Sequence, residues 1–249
     1  SLVTVLVVTR YLSDHWVKTV WICLALAISK AYVDFSTSGL ENPLSHALLA
    51  TFLVVFLRCH DRRRAIILFV LAGLIGLNRL DALVIIAPPL VWEIWQTGSR
   101  RTLLMALVGF SPLFLWLVFS TIYYETPLPN TAYAKLNTGV SRSVLLGFGV
   151  DYFKHSARMD PITLSVVSLA LVLAISRRSA ASLFAVGIVS HGLYLLWIGG
   201  DFMSGRFLTP MYLVSVVLVC AYVRRASRVG LIVAVSLIVV SLTSASPVW

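Results

Sequence analysis

The chain has 249 residues, of which 59% are hydrophobic and 12% charged, with a mean hydropathy of +0.92 and a formal charge of +10. That apolar content exceeds what a single water-soluble core of this size needs, and it predicts a polytopic membrane protein. The basic excess falls in short clusters between apolar runs and forms no stripe, so nucleic acid is excluded as a partner and topology accounts for the charge.

A bilayer span takes about 20 apolar residues, or fewer when it is broken or buried in a bundle. In chain order the segments are Leu2–Thr9, Trp16–Phe35, Pro43–Leu57, Ala65–Leu77, Ala82–Gln96, Leu103–Tyr123, Ile162–Ile175, Ala180–Ile198, Phe207–Val223 and Val229–Leu242, about ten in all. Leu2–Thr9 has no start Met and no basic n-region before it, and it reads as the end of a span and not as a signal peptide. The expected architecture is an all-α transmembrane bundle over 1–249, cut from a longer chain.

Alternate connections carry Arg10 and Lys18; Arg58, Arg62, Arg63 and Arg64; Arg100 and Arg101; Arg177 and Arg178; and Arg224, Arg225 and Arg228. The positive-inside rule makes these five cytoplasmic. The opposite, outer connections hold Asp34 and Glu41; Arg79 and Asp81; the long loop 124–161; and Asp201 with Arg206. Every candidate for chemistry therefore lies on the outer face.

Two short segments flank Asn78-Arg79-Leu80-Asp81, so this turn sits below the outer surface, and burying its charges requires pairing or a wet cavity. Pro88 and Pro89 are expected to bend the helix that follows. In the loop 124–161, Val144–Lys154 is expected to lie along the interface as an amphipathic helix, weakened by Gly147 and Gly149. Cys23, Cys59 and Cys220 fall at no metal-ligand or disulfide spacing and read as packing residues.

Arg206, between Phe202 and Phe207, suits a phosphate because its planar donors reach two oxygens at once, and equally suits a snorkelling ion pair with Asp201. Arg79 and Asp81 read first as a structural ion pair, and a turn must join them because residues two apart do not face each other on a helix. Glu41 is either an N-terminal helix anion ahead of Pro43 or a carboxylate for sugar hydroxyls, with Asn42 and Ser38 as hydrogen-bonding neighbours and Asp34 as a second acid. Lys135 offers a second phosphate contact, and Asn130 and Tyr133 a polar, stacking surface for a sugar ring; by composition the same segment reads as a surface loop. His191, inside an apolar span, reads as a hydrogen-bonded packing residue, while His46 and His155 have no partner at an informative spacing.

Four islands carry a family resemblance: Phe35-Ser36-Thr37-Ser38-Gly39-Leu40-Glu41, Asn78-Arg79-Leu80-Asp81, Pro129-Asn130-Thr131-Ala132-Tyr133-Ala134-Lys135, and Gly199-Gly200-Asp201-Phe202-Met203-Ser204-Gly205-Arg206. In their order and apolar spacing, over nearly the whole chain, the sequence resembles GT-C superfamily glycosyltransferases that use polyprenyl-phosphate sugars, and within them the terminal arabinofuranosyltransferases of cell-wall arabinan. It departs from them at Arg79-Leu80-Asp81, where the family often has Arg-Pro-Glu or Arg-Pro-Asp, and at Pro129-Asn130-Thr131, where the arabinan enzymes carry a serine-containing form.

The resemblance implies a bacterial plasma-membrane enzyme acting at its extracytoplasmic face, with a polyprenyl-phosphate-linked sugar donor, a glycan acceptor and the lipid bilayer as partners. Arg206, Lys135 and Arg79 are then expected at the donor phosphate, and Glu41, Asp81, Asp201, Asn130 and Tyr133 at the sugar or acceptor, with Asp201 orienting Arg206. The family's catalytic aspartate is expected upstream of Ser1 and its soluble outer domain beyond the spans, so the chain alone is expected to be inactive. A divalent metal is compatible with the carboxylates on this face, although no ligand spacing demands one. A transporter or flippase for lipid-linked saccharide is the alternative, since that class also uses broken helices and buried charges.

Overall fold

A computed structural model of the chain describes residues 2–222 apart from 14, 62, 137, 138 and 178. The expected segment Val229–Leu242, the cluster Arg224, Arg225 and Arg228, and Arg62 and Arg178 lie outside the described residues. All regular elements described are helical: α1 (Leu2–Leu12), α2 (Trp16–Ile28), α3 (Lys30–Thr37), α4 (Asn42–Arg58), α5 (Arg64–Asn78), a 3-10 turn at Leu80–Ala82, α6 (Leu83–Thr97), α7 (Arg100–Tyr124), α8 (Asn130–Leu136), α9 (Arg142–Met159), α10 (Pro161–Arg177), α11 (Ser182–Ile198) and α12 (Leu208–Tyr222). The fold class is all-α.

Among the described residues, α7 is the only single helix long and apolar enough to cross a membrane, and the number rises to three if each of two bent pairs counts as one span. The apolar helices α1, α4, α5, α11 and α12 are shorter, 17 residues at most. At 1.5 Å per residue, 17 residues reach only about 25 Å against a hydrocarbon layer of about 30 Å.

The expected continuous span Trp16–Phe35 is in fact broken. Ser29 adopts extended backbone (φ −69°, ψ 115°), and α2 and α3 meet at 77°. No proline or glycine marks the break. Ser29 Oγ accepts from Tyr32 N (3.1 Å), capping α3, and donates to Asp160 Oδ2 (2.7 Å). Asp160 lies at the second elbow, where α9 and α10 meet at 108° just before Pro161. Its Oδ2 also accepts from Ala31 N (3.0 Å) and Thr163 Oγ1 (2.8 Å), so one buried carboxylate ties both elbows together.

At the centre lies α12, with every residue from Phe207 to Cys220 buried, as expected for a helix apolar all round. It packs on α10, α4 and α2, and Tyr212 donates its hydroxyl hydrogen to Ala25 O. Close backbone crossings join the outer pairs. A Cβ on Gly73 of α5 would meet Gly109 O of α7 at 2.4 Å, and one on Gly187 of α11 would meet Ile85 O of α6 at 2.0 Å. The second crossing has a cause in the sequence: Pro89 has no N–H to offer Ile85 O, and the glycine of α11 packs onto that freed carbonyl. Despite Pro88 and Pro89, α6 runs as one helix.

The helix expected over Val144–Lys154 is longer, extending over all of α9. Its buried residues Leu145, Gly149, Tyr152 and Ser156 lie on one face, against α11 and α10. Gly149 is a packing position: a Cβ there would come within 2.7 Å of Leu196 O.

Candidate functional site

The ends of α3, α5 and α11, with α8 beside them, bring three connections and one short helix to the same end of the bundle. In the first, Asn42 opens α4 and Glu41 holds its N-cap position with no side-chain cap bond, so the Glu41 carboxylate is left for a tertiary partner. In the second, Arg79 leaves α5 in extended geometry (φ −153°, ψ 110°) and the 3-10 turn follows, closed by Ala82 N donating to Arg79 O (3.2 Å). This brings Arg79 and Asp81 fork to fork without a proline, with Nε to Oδ1 at 3.1 Å and Nη2 to Oδ2 at 2.6 Å. Asn78 fastens the two connections by donating to Glu41 O (3.1 Å) and Ser45 Oγ (2.7 Å).

The third connection, 199–207, is shaped by glycines at positive φ. Gly200 (φ +73°) faces Tyr152, where a Cβ would lie 2.5 Å from the tyrosine Cβ, and a Cβ on Gly205 (φ +79°) would lie 2.7 Å from Ala31 Cβ. Tyr152 then accepts from Phe207 N (3.2 Å), holding the loop against α9.

These segments close on one charge network. Arg206 Nη2 donates to Glu41 Oε1 at 2.7 Å across 165 positions of sequence, and Arg206 Nη1 lies 3.7 Å from Asp201 Oδ2. Lys135 Nζ pairs with Asp201 Oδ1 at 3.1 Å, Arg79 Nη1 donates to Asn42 Oδ1 at 2.7 Å and lies 3.7 Å from Glu41, and His191 Nε2 lies 3.4 Å from Asp81 Oδ2. Phe207 is the bed of the cluster: Lys135 Nζ is 4.1 Å from the ring centroid, Arg79 Cζ 4.6 Å and Arg206 Cζ 5.8 Å. Three cations thus face three carboxylates around one aromatic ring.

Burial divides the network. The side chains of Arg79 and Asp201 are 4% and 3% exposed, whereas those of Arg206, Glu41 and Lys135 are 20%, 27% and 28% exposed and form a rim. Burial pushes the Asp81 carboxyl up, but the His191 hydrogen bond and the charge and hydrogen bonds of Arg79 outweigh it and hold Asp81 below the usual carboxylate range. Glu41 is likewise raised by burial and brought below its usual value by the Arg206 hydrogen bond and by the Arg206 and Arg79 charges. Arg206 Nε, Asp201 Oδ2 and Asn42 Nδ2 are buried with no hydrogen-bond partner among the described residues, which leaves hydrogen-bonding capacity concentrated at one place.

Of the eight candidate residues, the network joins Arg206, Lys135, Arg79, Glu41, Asp81 and Asp201. Asn130 and Tyr133 share α8 with Lys135, and no hydrogen bond ties either side chain to the network among the described residues. Asp201, the neighbour of Arg206 in sequence, is nearer to Lys135, and Glu41 is the closer partner of Arg206. His191 is fully buried on Asp81, and His46, equally buried, bonds Thr209 Oγ1 (3.0 Å) and stacks on Tyr32. Tyr152 and the bedding role of Phe207 have no sequence signal beyond an aromatic near the motif. No three His, Cys, Asp or Glu side chains converge as a metal-binding group among the described residues. Comparison with protein-family models, curated proteins and solved structures finds no match to the chain.

Proposed function

We propose that the chain is the membrane core of a GT-C-type glycosyltransferase that transfers a sugar, arabinofuranose being the reading the resemblance favours, from a polyprenyl-phosphate donor to an envelope glycan at the outer face of a bacterial plasma membrane. The observation that carries this reading is the closure of four islands, from residue 41 to residue 206, on one charge network with two cations at its rim. In the reaction the acceptor hydroxyl attacks the anomeric carbon and gives its proton to the aspartate base that the family resemblance implies, the bond from that carbon to the phosphate oxygen breaks, and polyprenyl phosphate leaves with the electron pair. Arg206 meets the departing phosphate, where its fixed donors oppose the developing charge, and Lys135 binds the phosphate from the rim. Arg79, with its donors committed to Asp81 and Asn42, holds the turn and adds positive potential from below. Glu41 keeps Arg206 oriented until the phosphate competes for it, and Asp201 does the same for Lys135. The apolar helices, short as several are, form a bundle about the buried α12, with α7 on its lipid side.

The test is transfer from labelled polyprenyl-phosphate arabinofuranose to an arabinan acceptor in membranes carrying the native full-length protein. Arg206→Ala is expected to lower turnover by about 10²–10³-fold with insertion unchanged; wild-type turnover in this variant refutes the phosphate role. The two broken helix pairs, Trp16–Thr37 and Arg142–Arg177, favour the competing transporter reading. Movement of intact lipid-linked sugar across sealed vesicles, with no glycosyl transfer, would replace our reading with that one.

A further inference from the structure

The 203–205 segment, just ahead of Arg206, lines a cavity of about 490 Å³, the size of a small-molecule site. Its walls are one face of α3, the α9–α10 elbow, the loop ahead of Arg206 and the start of α12. Lys30 and Asp34 of α3 and Ser38, just past its C-terminal end, line it together with Ser156 and Ser204, and Phe35 and Met203 add apolar surface. Ser204 Oγ is bonded to His155 Nδ1 (2.9 Å) and lies 3.4 Å from Ser156 Oγ, so its position is fixed. No hydrogen bond or ion pair engages the exposed Asp34 carboxylate among the described residues.

From this lining we infer that the cavity binds the saccharide acceptor, with Asp34 and Ser38 accepting hydrogen bonds from its hydroxyls and Phe35 packing on a ring face. The inference rests on the proposed transferase reading and adds to it a second subsite, separate from the donor phosphate. A hydrocarbon chain is the wrong occupant, because it would strip water from the charged ends of Lys30 and Asp34. A saccharide presents hydroxyl donors and acceptors to these polar side chains, and apolar ring faces to the aromatic and thioether surface. The cavity is rigid where this matters: Asp160, in its wall, clasps Ser29, Ala31 and Thr163, fixing the base of α3 against the elbow. It is also joined to the phosphate end of the site. Gly205 lines it and immediately precedes Arg206, and Met203, also in its wall, lies 3.7 Å from Arg206 Nη1 through its sulfur.

The experiment measures equilibrium binding to the solubilised full-length protein of two probes, an arabinan oligosaccharide and a short-chain alkyl phosphate. Asp34→Asn and Ser38→Ala are each expected to weaken the oligosaccharide by about tenfold, the scale of a lost hydrogen bond to a charged group, while leaving alkyl phosphate affinity within about twofold. Arg206→Ala is expected to show the reverse pattern. Retained alkyl phosphate binding also reports that the Asp34 and Ser38 variants are folded. The inference is overturned if the wild type binds no oligosaccharide, if both variants bind it at full strength, or if they lose alkyl phosphate instead. Binding that follows this pattern in a protein that transfers no sugar leaves the saccharide subsite standing and removes the transferase reading.

Discussion

The two ends of the bundle both carry charge, and they use it differently. At the basic end the contacts among the described residues join single pairs: Arg58 reaches Leu12 O at 3.5 Å, Arg64 pairs with Glu93 at 3.2 Å between adjacent helices, and Tyr222 meets Ser182 at 2.9 Å. At the other end, acids and bases drawn from four stretches, 41–42, 79–81, Lys135 and 201–206, share partners in a single balanced network. The basic excess is read by counting residues along the sequence, and the positive-inside rule turns it into an expectation about topology. The balanced end has no excess to count, and its organisation consists in which atoms meet.

Breaking a buried member of the network separates the two ends most sharply. Arg79→Ala leaves Asp81 and Asn42 buried without their partner and is expected to cost about 3–5 kcal/mol. Arg58→Ala, at an exposed position at the basic end, is expected to cost no more than about 1 kcal/mol. Thermal unfolding of both variants in one detergent compares them, and equal losses would erase the distinction.

A backbone change is next in size. Gly200→Ala forces a side chain into left-handed geometry against Tyr152, which is expected to cost about 1–3 kcal/mol and to displace the 201–206 loop, lowering transfer. Gly147→Ala, in open space on α9, is expected to preserve transfer and to stabilise slightly. A Gly200→Ala protein with wild-type turnover would show that the loop's shape is not what presents Arg206.

Lys135→Ala is expected to raise the donor KM by about tenfold with little change in turnover at saturation, since Lys135 is on the exposed rim, 28% accessible. A matching fall in turnover would move Lys135 from binding into the chemical step. The smallest effect is that of pH. Glu41 and Asp81 have lowered pKa values in the fold, so the unfolded chain binds more protons across that interval and stability rises with pH there. Their contribution is complete above the usual carboxylate range and is lost as pH falls below it. Glu41→Gln is expected to flatten that part of the stability profile, and an unaltered acid limb would show that Arg206 and Glu41 are not coupled.

Several elements were legible because local physics sets them. The apolar runs of α4, α5, α7, α11 and α12 mark those helices to within a few residues, and glycines at positive φ end α6 at Gly98 and α11 at Gly199. The elbow at Ser29 was hidden, since the residues around it suit a continuous helix and the break is stabilised by Asp160, 131 positions away. Gly149 reads as a weakness in α9 until Leu196 is seen against it. In the same way, α7 and α12 are both apolar, and their sequences do not tell that one faces outward while the other is buried all round.

Composition and spacing by themselves determined an all-helical chain, the alternation of basic and balanced connections, and the short roster of polar residues kept at the balanced end. Tertiary structure alone decided their partnerships: Glu41 for Arg206, Lys135 for Asp201, and an extended Arg79 turned back upon Asp81. Hydropathy is a sum over neighbouring residues and survives without a fold. An ion pair depends on a few ångströms of separation and on how much water remains between the charges, and both are set by how deeply, and with what rotation, each helix packs against α12.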